Sequence, residues 1–177
     1  AAMAWMRMHQ HDGMANLAQE CFHLFQTRFC VNGLLREYFD DSLSPIKRSD
    51  NAIDLAVEPG HLYEWAYLLR LYEQLGGEES EAPAIMEAFA DQFGHNAESG
   101  LVLDHVFPNG GSVLHPTSRL WPQTEYIRLK LFHETPEDDE RALAMVERLF
   151  ENYMTFDGNQ PGYWKDQLSV DGKNLIE

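Results

Sequence analysis

The segment "VEPGHLYEWAYLL", which begins at Val57, sets His61 and Glu64 three residues apart, with Trp65 directly after. Pro59 and Gly60 mark a helix start, so His61 falls in the first turn and Glu64 and Trp65, the latter a candidate substrate contact, lie toward the same face. A histidine there feels the positive end of the helix. That field disfavours imidazolium and leaves a neutral ring able to accept a proton near neutral pH. Glu64 can orient the ring through one nitrogen and leave the other for proton transfer, the logic of an oriented general base. Taken alone, His-x-x-Glu more often marks a capping histidine beside a solvated glutamate.

A second cluster, "SRLWPQTEYIRL" from Ser118, again puts a proline near a helix start, with Arg119, Trp121, Gln123 and Glu125 around it. Tryptophan offers a flat apolar face for the C–H surface of a sugar, and Gln, Glu and Arg suit hydroxyl groups. The mixture points to a carbohydrate pocket. A metal enzyme is the competing chemistry, because the chain holds 8 histidines and 29 acidic residues. It contains no His-Glu-x-x-His, however, and di-iron bundles need paired Glu-x-x-His motifs. No metal and no cofactor are expected.

Both clusters must be positioned by helices. Apolar stripes at helical spacing run through Leu17, Cys21, Leu24, Phe25 and Phe29, then Leu62, Trp65, Leu68, Leu69 and Tyr72. Further stripes are Ile85, Met86, Phe89 and Phe93, and Trp121, Tyr126, Ile127, Leu131 and Phe132. The last helix is the best signalled: Thr135 caps it, Pro136 suits its first turn, Glu137, Asp138 and Asp139 complement its dipole, and it should run to Tyr153.

The links between helices alternate in length. The stretch from Gly76 to Ala82 and the region around Thr135 are short, whereas Cys30 to Gly60 and Ala97 to Ser118 exceed ordinary loops. A related phrase, "GLLREYFDDSL", "GLVLDHVFPNG" and "GYWKDQLSVDG", starts at Gly33, Gly100 and Gly162. A glycine, alternating residues and then Asp or Asn reads as a short strand pair with a turn. Repeated helix pairs with hairpin loops make an array that buries its inner faces by stacking. An open arc of about three pairs would expose apolar faces, so the expected fold is all-α, an α/α toroid forming part of a closed barrel, with residues 1–177 as one partial domain. An α-solenoid or an irregular bundle remains the alternative from periodicity alone.

Composition narrows the function classes. Lys and Arg total 13 against 29 Asp and Glu, a formal net charge of -16, which repels nucleic acid and anionic membranes. Much of that acid serves solubility. Cys21 and Cys30 imply no disulfide framework, and no apolar run reaches membrane-spanning length. The expectation is a soluble, cytoplasmic protein with a small-molecule partner; a homodimer is compatible with the sequence.

The phrases "EPGHLYEWAYLL" and "RLWPQTEYIRL", preceded by "LLREYFDD" and followed by "GYWKDQLSVDGK", occur in an order that resembles the N-acylglucosamine 2-epimerase family. The resemblance implies an (α/α)6 barrel with its site at one end of the funnel. It also implies proton transfer next to a sugar carbonyl through an enediol-like intermediate, by two histidines and with no obligatory metal. His61 would be one of them, Glu64 its orienting or substrate-binding partner, and Glu125 a carboxylate at or behind the substrate. Trp121 would stack on the sugar, and Glu37 in "REYFD" would lie near the pocket. The wording "LHPTSRLWPQTE" is closer to the mannose isomerase-like branch.

The family's second histidine sits in a Ser/Thr-x-Tyr-His phrase beyond "DGKNLIE", and its early arginine and histidine have no counterpart here. The parent protein is therefore expected to be active and this stretch inactive alone. His105 and His115, on the long loop before Trp121, are the candidates to approach a substrate, whereas His9, His11, His23, His95 and His133 are assigned no role. A non-catalytic helical module that binds a glycan or peptide is the reading from a different class.

Overall fold

A computed structural model describes residues 12–48, 50–109, 113–155 and 162–169. Five α-helices carry the architecture among the described residues: α1 (Asp12–Leu24), α2 (Pro59–Gln74), α3 (Ala82–Phe93), α4 (Leu120–Phe132) and α5 (Pro136–Tyr153). α2 packs against both α3 and α4, and α4 packs against α5, which sets two successive helix hairpins side by side. α1 lies on the remaining flank of α2, where Phe22 meets Tyr72 with ring centroids 4.9 Å apart and Phe25 stacks on Trp65 at 4.9 Å.

Local chemistry accounts for the helix ends. Pro59 occupies the first position of α2, where its missing N–H costs nothing. The Thr135 hydroxyl accepts from Asp138 N at 3.2 Å, and α5 ends at Tyr153 as its pattern predicts. Glu73 Oε1 accepts from Ser80 N at 2.9 Å, which closes the short α2–α3 link.

The stripe of α2 buries Leu62, Leu69 and Tyr72 as its periodicity requires, and α5 buries Ala142, Met145 and Leu149. The stripe assigned to the first helix is out of phase. Ala18, Phe22 and Phe25 are buried, while Leu17 and Leu24 are 42% and 40% exposed and Cys21 is exposed. A π turn over Phe25–Phe29 follows α1 and adds a residue to the repeat, so Phe29 belongs to a different face from Phe22.

The long loops carry short strands. β1 (Cys30–Val31) and β2 (Leu34–Leu35) form a hairpin across Asn32 and Gly33, both with positive φ as such a turn demands. β3 (His105–Val106) pairs with β4 (Val113–His115). In the third phrase β6 (Gln167–Leu168) pairs instead with β5 (Ser118–Arg119), so it ties the end of the described chain to the start of α4. Val57 and Val106 exchange main-chain hydrogen bonds at 2.9 and 3.0 Å, which draws the two long loops together at the start of α2. No described helix is long and apolar enough to cross a membrane.

Candidate active site

The N-termini of α2 and α4 meet at one point. Gly60 makes this approach possible, since a Cβ there would lie 2.7 Å from Trp121 Cη2 and 2.8 Å from Pro122 Cβ. The contact brings His61 against Trp121, with ring centroids 4.8 Å apart at 40°. Arg119 lies over the same indole, its Cζ 5.5 Å from the ring centroid.

His61 is held by a residue from the first long loop. Its Nδ1 lies 3.0 Å from Glu37 Oε2 and 3.6 Å from Glu58 Oε2. Glu64, assigned from sequence as the orienting partner, does not bond the ring; its Oε1 lies 4.0 Å from Arg128 Nη2. Three residues along a helix bring side chains near one another, but Glu37 approaches the ring from another segment and takes the nitrogen. Burial pulls the His61 pKa down, yet Glu37, Glu58 and Glu64 outweigh it, and the net shift is upward from the ordinary 6.5. This corrects the expectation that the helix end keeps the ring neutral: a direct carboxylate contact outweighs the dipole.

Glu58 occupies the N-cap position of α2, but its side chain makes no cap hydrogen bond. It turns into the site instead. Arg119 Nη2 donates to Glu58 Oε2 at 2.7 Å, and His105 Nε2 lies 3.2 Å from Glu58 Oε1. Burial pushes the Glu58 carboxyl up, but His105, His61 and Arg119 together hold it below the usual range. Asp104, fully buried, accepts from Arg119 N at 2.8 Å, Arg119 Nε at 3.1 Å, Thr117 Oγ1 at 2.6 Å and Gln167 Nε2 at 2.7 Å. Burial draws the Arg119 guanidinium down and Glu58 and Asp104 push it up further, so it is a firmly held cation.

Two other predicted residues stand elsewhere. Gln123, assigned to substrate hydroxyls, is completely buried; its Oε1 accepts from Val102 N at 2.8 Å and its Nε2 donates to Val102 O and Arg119 O, each at 2.9 Å. Its polar atoms tie the second long loop to α4, because an amide without solvent must satisfy main-chain groups. Trp65 stacks on Phe25 and supports the α1–α2 packing. Glu125 pairs with Arg128, whose guanidinium lies 4.4 Å above the Tyr67 ring. Burial raises the Glu125 pKa; Glu64 adds to the rise, Arg128 opposes it, and the net shift is upward.

The structure therefore joins His61, Glu37, Trp121 and Arg119, puts Glu64 and Glu125 together about Arg128, and adds Glu58 and Asp104, which the sequence reading passed over. An acidic residue directly before a helix-starting proline reads as a cap, which hides Glu58. Asp104 carried a signal in its place within a repeated phrase. Glu37, Glu58 and His61 are the described residues that could hold a metal ion, each with a ligand atom within 4.8 Å of the others. Both Glu58 oxygens are already engaged, Oε2 by Arg119 at 2.7 Å and Oε1 by His105 at 3.2 Å.

Comparison with known proteins identifies the family. The sequence profile of N-acylglucosamine 2-epimerase (GlcNAc 2-epimerase) matches residues 1–177. A mannose-6-phosphate isomerase of Rhizobium meliloti (strain 1021) is 36% identical over 92% of this chain and 43% of its own length. A solved D-mannose isomerase superposes with a TM-score of 0.75 at 18% identity, over 98% of this chain and 47% of the other. A cellobiose 2-epimerase from Bacillus thermoamylovorans B4167 gives 0.71 at 17% identity, over 98% and 44%. The chain thus spans under half the length of each of these relatives. At those identities the structural likeness concerns the fold, while the profile covers the whole chain: it belongs to the N-acylglucosamine 2-epimerase family.

Proposed function

We propose that the full-length protein is a sugar isomerase or 2-epimerase acting on a mannose-type aldose, with His61 as one of two acid/base groups. The observation that carries this reading is how His61 is held. Its Nδ1 is bound to Glu37 and its face lies on Trp121, while Nε2 makes no hydrogen bond to a described residue. One nitrogen is fixed and the other is left for a proton.

In the reaction so read, His61 takes the proton from C2 of the open-chain aldose and the electron pair moves toward the carbonyl oxygen. An enediol forms as O1 gains a proton. Return of a proton to C1, with O2 becoming the carbonyl, gives the ketose; return to the opposite face of C2 gives the epimer. Trp121 would support the sugar's apolar face, and Arg119 would steady developing charge on oxygen. Glu37 Oε1 is buried and has no hydrogen bond among the described residues, an acceptor suited to a substrate hydroxyl. Glu64 and Glu125 would contact the sugar from one turn further along.

The second proton-transfer group would come from the remainder of the parent, as would closure of the barrel. Leu17 and Leu24 on α1, and Leu143 and Phe150 on α5, are exposed apolar residues that neighbouring helix pairs would cover. The test is deuterium uptake from heavy water at C2 of mannose and glucose and at C1 of fructose, measured with the full-length protein and its His61→Ala variant. Exchange that falls by about 100-fold or more in the variant supports the assignment. Equal exchange in both would remove His61 from the chemistry, and none with any sugar would favour a larger or modified substrate or a binding module.

A further inference from the structure

The paired Val57 and Val106 are followed, in opposite chain directions, by Glu58 and His105, which an antiparallel register sets across from each other. Their side chains meet at 3.2 Å, and each is only 12% exposed. The other Glu58 oxygen faces His61 Nδ1 at 3.6 Å and Arg119 at 2.7 Å. One buried carboxylate thus stands between the histidine of the site and a histidine on the second long loop. We propose that His105 is a positioning residue for His61, acting through Glu58, the carboxylate that the two rings share.

This role rests on the reading of His61 as a proton-transfer group and adds to it what sets the ring's proton affinity. With its proton on Nε2, His105 donates to Glu58 Oε1 and fixes the carboxylate so that Oε2 points at His61 and Arg119. A buried carboxylate that loses a donor becomes easier to protonate and freer to turn. Less negative charge then reaches His61. The other charged groups around this pair, Glu37 from the first long loop, Glu64 from α2, Glu125 from α4, and Asp104 and Arg119 before α4, stay in place when His105 is changed. The Tyr38 hydroxyl, also within reach of Glu58, is neutral throughout, since burial and the neighbouring carboxylates raise its pKa.

The experiment uses full-length protein with His105→Ala and His105→Gln. The His61 ring is titrated by NMR, and the pH profile of C2 deuterium exchange is recorded for each variant. In His105→Ala the His61 pKa should fall by about half a unit, a threefold change in protonation, and the acid limb of the profile should move with it. His105→Gln, which keeps an N–H donor, should restore both toward the wild type. In a Glu58→Gln background, His105→Ala should produce no additional shift, because the shared carboxylate is gone. An unchanged His61 titration in His105→Ala would overturn the proposal, as would an equal shift in His105→Gln or a full shift in the Glu58→Gln background. Should no sugar exchange, the ring titration still decides the role of His105 while the enzymatic reading falls.

Discussion

At His61 two electrostatic effects oppose each other. The first turn of α2 disfavours the imidazolium, and Glu37 at 3.0 Å favours it. The net rise in pKa assigns the larger effect to the carboxylates. Glu37→Gln should therefore lower the His61 pKa and move the acid limb of the exchange profile to lower pH. The sign for stability follows from the same linkage. A histidine whose folded pKa is raised stabilises the fold fully below its unfolded value of 6.5, and the contribution disappears as pH rises through the folded pKa. Thermal unfolding should accordingly show Glu37→Gln losing more at about pH 5 than at about pH 8, and an equal loss at both would mean that the ion pair does not stabilise the fold. The sequence made His61, Trp121 and Arg119 legible, because helix-start spacing reports local neighbours. It could not assign the partner of His61, since Glu37 and Glu58 reach the ring by a fold-dependent convergence. Gln123 was misread for a related reason: an amide beside a tryptophan looks like a ligand until its main-chain acceptors are known.

Among the elements, α2 and α4 form the joint that the site depends on. Gly60 and the Trp121–Pro122 pair are its two sides, and neither has room to yield, because proline is rigid and the indole is wedged against His61. Alanine improves helix propensity over glycine by about 1 kcal/mol, but overpacking a close helix contact costs about 1–3 kcal/mol. Gly60→Ala should therefore be destabilising on balance and should lower exchange activity by displacing Trp121, checked by urea unfolding alongside the exchange rate. A more stable variant with unchanged activity would show that the joint has slack. The helices themselves were legible from periodicity in α2, α3 and α4 and from capping chemistry in α5. The phase of α1 was not, since Leu17, Cys21 and Leu24 recur at helical spacing just as Ala18, Phe22 and Phe25 do, and nothing local says which row faces α2. Hairpins within one loop were legible as well, whereas the β5–β6 pair joins Ser118 to Leu168 and has no local signature.

At the scale of the molecule, the two helix hairpins are joined by a second polar network that the proposed chemistry does not use. Lys130, almost wholly buried on α4, donates to Glu87 Oε1 and Asp91 Oδ2 on α3, each at 2.7 Å. Tyr63 of α2 donates to Asp91 Oδ1 at 2.8 Å and lies 2.8 Å from His95 Nε2, while Arg70 of α2 and His133 after α4 reach Glu87 at 3.3 and 2.8 Å. α2, α3 and α4 thus close on Lys130, with Arg70 pairing Glu87 from the α2 side. Lys130→Met keeps the side-chain length but leaves two carboxylates without it; breaking a fully buried pair costs about 3–5 kcal/mol, and the loss here should be smaller because the Asp91 side chain is 35% exposed and Arg70 still reaches Glu87. Restoring neutrality with Glu87→Gln and Asp91→Asn in the same chain should recover much of that loss, since the penalty lies in unpaired charge rather than in missing volume. The pH dependence follows from the partners. Burial raises the Glu87 carboxyl, but Lys130 and His133 hold it below its ordinary 4.5, so its contribution is present above that pH and is lost as pH falls through the lower folded value. Burial likewise draws Lys130 down while Asp91 and Glu87 lift it above 10.5, so its contribution persists to that pH and fades only beyond it. In wild-type protein these groups give a stability plateau between the two limits. In Lys130→Met the remaining carboxylates repel while ionised, so acidification should narrow the gap to wild type. Urea unfolding of both proteins from neutral pH to about pH 4 tests this, and a gap that stays constant would mean that Lys130 stabilises the hairpins by packing instead of by charge.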